Sequence, residues 1–135
     1  MEKVNLETAR KEVMKWLDFK KVDREKIEDS EDNIVALAKG ICSGYLVLDK
    51  DCNFIQKLKF PILDDDGNPF TTELKMKPRL RMGEIEDKSQ NLPAGNTFAL
   101  IRAYVSALTN INSEIIKKMD SEDQKIAQSV VIFFL

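Results

Sequence analysis

The apolar positions of this chain change period twice, and those changes divide it into helix, sheet and helix again. Over residues 1–20, Leu6, Ala9, Val13, Trp16 and Leu17 recur at spacings of three and four, with lysines and glutamates between them. That is the period of an amphipathic helix, and Asn5 is placed to cap it. Residues 18–32 mix both charge signs and offer only Phe19, Val22 and Ile27 for burial, which suits a short exposed helix or turn. Ile34, Leu37, Ala38, Ile41 and Cys42 then mark a second amphipathic helix from about Glu31, ended at Gly44.

Over residues 45–78 the period becomes two. Phe54, Leu58, Phe60 and Ile62 fall on even positions, and so do Phe70, Leu74 and Met76. Such alternation gives a strand one buried and one wet face. For both even sets to share a face, paired residue numbers must sum to an even number, which requires a loop of odd length. Asp65-Asp66-Gly67 fits, with the glycine in the left-handed conformation. This register pairs Leu58 with Leu74, Lys59 with Glu73 and Phe60 with Thr72. The preceding turn nearly repeats it: Leu48-Asp49-Lys50-Asp51-Cys52-Asn53 against Leu63-Asp64-Asp65-Asp66-Gly67-Asn68. The same loop pairs Leu48 with Phe54 and puts Cys52 where glycine is preferred. Pro78 stops the last strand.

Helical spacing then returns. Residues 79–90 are ambiguous, with a short helix expected around residues 83–87, and residues 91–96 read as a loop. Residues 97–109 form the clearest helix, with Phe98, Ile101, Tyr104, Val105 and Leu108 on one stripe. Asn110 or Asn112 restarts a short helix carrying Ile115, Ile116 and Met119. Ser121 is the expected N-cap of a last helix, with Asp123 in its first turn favourable to the helix dipole. That helix carries Ile126, Val130, Phe133 and Phe134. The expected fold class is α+β: a three-stranded antiparallel meander with one face covered by amphipathic helices from both chain ends. It is read as one domain over residues 1–135, made of N-terminal helices (1–43), a β-meander (44–78) and C-terminal helices (79–135).

Composition narrows the function classes. The net charge of −2 offers no global field for nucleic acid or membrane. Two cysteines make a disulfide framework a poor reading and point to a reducing cytoplasm. Residues 1–17 are charged throughout, so no signal peptide is expected, and the longest apolar run, Val-Val-Ile-Phe-Phe-Leu, is too short to span a bilayer. With no histidine, the commonest acid–base group and metal ligand is missing.

Candidate chemistry is thin. Asp64-Asp65-Asp66-Gly67 with Glu73 superficially suggests a calcium loop, but the first ligand position would fall on Ile62 and strands flank it; aspartates before glycine are ordinary turn chemistry. Lys57, Lys59, Lys75 and Lys77 share the outer sheet face, where they could hold phosphates. No aromatic residue interleaves with them and Glu73 sits among them, so a solvated face that protects edge strands is preferred. No phosphate loop, nucleophile elbow or paired-carboxylate motif occurs. Neither an enzyme nor a cofactor or metal site is expected. The apolar last residues read as docked into the core, or else as a partner-binding surface or oligomer interface.

From residue 44 onward the order of features resembles the tail assembly chaperones of long-tailed bacteriophages. The matching stretches are Leu58-Lys59-Phe60-Pro61-Ile62, the turn Asp66-Gly67, Leu74-Lys75-Met76-Lys77-Pro78-Arg79, and the helix over residues 98–108 before residues 115–123. They span about two thirds of the chain, with the N-terminal helices outside the pattern. The resemblance implies a non-enzymatic protein of the bacterial host cytoplasm. Such a protein binds the aggregation-prone tape-measure protein, or another tail component, during assembly and is absent from the finished particle. Some members are also made in a longer, frameshifted form. A chaperone of this kind needs an exposed apolar groove or edge, for which Trp16, Phe133, Phe134 and Leu135 are the candidates. The alternatives are a structural tail or connector protein that forms a homo-oligomer, and a nucleic-acid-binding regulator acting through the basic sheet face.

Overall fold

The computed structural model describes residues 4–89 and 95–135. Residues 1–3 of the first expected helix and residues 91–94 of the expected loop lie outside them. Helix α1 spans Leu6–Lys20, and the Asn5 side chain caps it by accepting from the Thr8 amide at 2.8 Å. Helix α2, Arg24–Asp29, buries no residue, as its charge density requires. Helix α3, Glu31–Cys42, ends where Gly44 takes a φ of 82°, freeing its amide to reach the Ile41 carbonyl. The bidentate Arg10–Glu31 pair, at 2.6 and 2.8 Å, ties α1 to α3 on the surface.

Strands β1 (Leu46–Leu48), β2 (Phe54–Leu63) and β3 (Pro69–Met76) form an antiparallel sheet in that order. The two connecting turns are built alike. Asp49 Oδ1 accepts from the amides of Asp51 and Asn53, and Asp64 Oδ1 from those of Asp66 and Asn68, all at 2.9 Å. Cys52 and Gly67 occupy equivalent left-handed positions, with φ of 62° and 83°. The acidic residues at 49 and 64 thus act as turn caps.

Helices α4 (Met82–Ser89), α5 (Thr97–Thr109), α6 (Ser113–Ile116) and α7 (Ser121–Val131) follow, and a turn of 3-10 helix covers Ile132–Phe134. Asn110, left-handed at φ 58°, closes α5, while Asn112 caps α6. The N-cap of α7 is Asp120, whose side chain accepts from the Glu122 amide; Ser121 is the first helical residue instead of the cap. Among the described residues the fold is α+β, with α3, α5 and α7 packed on one face of the sheet and α1 packed on α3. A single hydrophobic cluster draws on α1, α3, all three strands and α5 to α7. Lys57, Lys59, Glu73 and Lys75 are exposed on the other face.

The register departs from the alternation reading between Lys57 and Leu63, where the β2–β3 ladder shifts twice. Leu48 pairs with Phe54, and Leu63 pairs with Pro69, as the turns require. Further along, Lys57 stands opposite Glu73 and Gln56 opposite Leu74, so residues 58–61 of β2 face only Thr72 of β3. This bulge overturns the pairings of Leu58 with Leu74, Lys59 with Glu73 and Phe60 with Thr72. It also breaks the even-in rule: Leu58 and Ile62 remain buried, while Phe60 and Phe70 are 55% and 60% exposed. Its physical cause lies in α7. The buried Asp123 carboxylate accepts from the Lys59 amide at 2.8 Å and the Phe60 amide at 3.0 Å, and its main-chain carbonyl accepts from Gln56 Nε2 at 2.8 Å. Amides that the bulge takes from the β ladder are satisfied by a helix side chain.

Replacing that carboxylate leaves two amides without acceptors, so Asp123→Ala is expected to cost about 3 kcal/mol. The neighbouring exposed change Glu122→Ala is expected to stay within about 0.5 kcal/mol. Urea unfolding of the two variants checks this, and equal midpoints would remove the clamp as a stabilising device.

Candidate docking surface

The residues offered by sequence as contact candidates separate into core and surface. Trp16 is 1% exposed: its ring lies 4.7 Å from that of Phe54 and 5.8 Å, edge-on, from that of Phe133. Phe133 is 6% exposed. Both are core residues, which corrects their assignment as partner contacts; an aromatic residue on the apolar stripe of an amphipathic helix faces the core. Phe133 and Phe134 therefore pack beside Trp16 of α1. Phe134 is half-buried, and Leu135 is 53% exposed.

Phe134 forms one wall of an apolar groove of about 590 Å³. Leu80, Arg81, Met82, Ile85 and Glu86 line it from α4 and the segment before it, and Tyr104 lines it from α5. Met82 stands at the entrance, 86% exposed. At the start of α4, Lys77 pairs with Glu84, and Glu84 Oε1 accepts from the Arg81 amide at 3.2 Å. The Lys77 hydrogen bond, aided by that amide, holds the Glu84 carboxyl below the usual carboxylate range. Sequence reasoning missed this site because residues 79–90 looked ambiguous. The available signal was Met82 and Ile85, apolar residues one helical turn apart in an otherwise polar stretch.

The lysines of the sheet face have acidic or aromatic neighbours. Lys57 lies opposite Glu73, Lys77 is paired with Glu84, and Lys59 Nζ sits 4.9 Å from the centre of the Tyr45 ring. Lys75 lies close enough to Asp49 to help lower its pKa, after the hydrogen bonds that Asp49 accepts from Asn53 and Asp51 act against its burial. Cys42 and Cys52 are free thiols, the first half-buried and the second buried. No group of three or more His, Cys, Asp or Glu among the described residues is placed to hold a metal ion, and no described helix is long and apolar enough to cross a membrane.

Lys20 joins the aromatic core to the groove. Its Nζ donates to the Pro78 carbonyl at 3.0 Å and lies 3.3 Å from the centre of the Phe134 ring. Burial, reinforced by the nearby charge of Arg79, lowers its pKa from 10.5 to about 8. A lysine lowered in this way is charged in both folded and unfolded chains below pH 8. Between about pH 8 and 10.5 the unfolded chain holds the extra proton, so this group raises stability as pH rises through that window. Urea midpoints measured from about pH 7.5 to about pH 10.5 should show that rise, and Lys20→Met should flatten it. A Lys20 titration at or above the ordinary lysine value would mean that the ring and carbonyl contacts outweigh burial. Compared with protein-family models, curated proteins and solved structures, the chain matches none.

Proposed function

We propose that this protein is a non-enzymatic assembly chaperone of phage or prophage tails, which holds the tape-measure protein through protein–protein contacts. The observation that carries the proposal is the groove lined by Leu80, Met82, Ile85, Tyr104 and Phe134. Its apolar lining is interrupted by Arg81 and Glu86, it includes an exposed methionine, and Leu135 follows Phe134 directly on the chain. An amphipathic helix laid in such a groove would present anchors at positions i, i+3 and i+4. A flexible thioether at the entrance tolerates anchors of differing shape, which suits a client with many similar helical segments. The tail-chaperone resemblance of residues 44–135 supplies the identity of that client.

Co-expression with the tape-measure protein of the same phage or prophage provides the test. The client should remain soluble and co-purify only when this chain is present, and purified particles should lack this chain. Met82→Asp combined with Leu135→Asp should reduce the co-purified client by about tenfold or more, a hot-spot-sized loss, with an unchanged circular-dichroism melt. Co-purification indifferent to the double substitution would displace the groove as the site. Recovery of this chain in the particles would replace the chaperone reading with that of a structural tail component.

A further inference from the structure

A second cleft lies on another side of α5, where α5, α6 and the start of α7 meet. Its volume is about 230 Å³, and its apolar floor is formed by Ile101, Val105, Ile116 and Met119. Phe98, 72% exposed, stands at its edge. The charged residues that line it are Arg102 and Lys117, and no carboxylate lines it. Neither cation makes an ion pair among the described residues, whereas their neighbours Lys118 and Lys125 are paired with Asp65 and Glu122. The acidic groups at the start of α7 are already engaged. Asp120 caps the helix, Glu122 holds Lys125, and Asp123 is turned into the bulge of β2. The lining itself thus carries two cations and no carboxylate, on a chain whose net charge is −2.

We propose that this cleft docks an acidic amphipathic helix of a partner protein, with bulky apolar side chains in the cleft and carboxylates against Arg102 and Lys117. The volume is small beside the roughly 300–1,000 Å³ of pockets that enclose a small-molecule ligand. It matches one or two large apolar side chains delivered from a helix face. The charge selects the sign, because a cationic rim around an apolar floor rejects basic and attracts acidic partners. This inference stands apart from the α4 groove and does not require the chaperone reading.

Selection from a random library of helical peptides of roughly four turns, displayed against the full chain, tests it directly. Counter-selection uses Met119→Arg, which fills the cleft, after its circular-dichroism melt has been matched to the parent. The enriched peptides should carry net negative charge and apolar pairs one turn apart, and should bind more weakly as salt is raised. The surface double variant Arg102→Glu with Lys117→Glu keeps the apolar floor, and it should weaken them by about tenfold or more. The same library panned on that double variant should return basic peptides. Enriched peptides that are basic or uncharged, peptides indifferent to the charge reversal, or a library that yields nothing beyond the counter-selection would each overturn the proposal.

Discussion

A β-bulge inside a covered sheet creates a problem that only a neighbouring element can solve. Residues 58–61 of β2 face one residue of β3, so amides along that stretch lose their ladder acceptors. Unsatisfied amides away from water would destabilise the sheet where it must pack. Asp123 removes the problem by offering both carboxylate oxygens to the Lys59 and Phe60 amides, while its main chain receives Gln56. Each of the three contacts joins residues more than sixty apart in sequence. They fix the first turn of α7 over β2 and set the angle from which the rest of α7 leaves the sheet.

That placement propagates to the far end of the helix. Because α7 starts on the bulge, its buried side, Ala127, Val130 and Val131, runs across the core, and the 3-10 turn after it brings Phe133 edge-on to Trp16 and Phe134 beside it. The aromatic group then meets Lys20, whose ammonium bridges the Phe134 ring and the Pro78 carbonyl. The clamp on β2, the aromatic core and the wall of the α4 groove form one connected chain of contacts. The α5–α6–α7 cleft shares the same dependence, because Ser121 and Gln124 flank Asp123 in the turn that the bulge holds.

How much of this was legible depends on whether the signal was local. The paired turns were legible because each places an aspartate three residues before a left-handed position, a geometry set within a few residues. Helices α1, α3 and α5 were legible from period alone. The bulge was not, because Phe60 and Ile62 continue the alternation without interruption and the partner that bends the strand is an acidic residue sixty positions away. The one sequence trace was Gln56, a polar residue in the buried even set that needed a distant acceptor. Asp123 looked complete as a first-turn acid favourable to the helix dipole, which left no reason to seek a second role for it. Trp16 and Phe133 were offered as contact residues for their apolar character, yet the same character suits them to the core, and folding claims them first.

What remains on the surface for recognition follows from what the core leaves out. The sheet's open face carries its lysines already opposite or beside Glu73, Glu84, Tyr45 and Asp49, so it favours solubility and guards the edge strand without advertising a charge. The helical side differs. There α4 packs on α5 and is tied down by the Lys77–Glu84 pair, and Met82 and Ile85 line a groove beside it. On the other side of α5 the short helix α6 is too small to close the space above Ile101 and Val105, and Arg102 and Lys117 stand at that opening. Both openings flank α5, the most apolar helix of the chain, and both arise because its covering elements are short. A long covering helix in either place would close the surface. Short ones leave α5 partly available, and that availability gives the fold something to bind with.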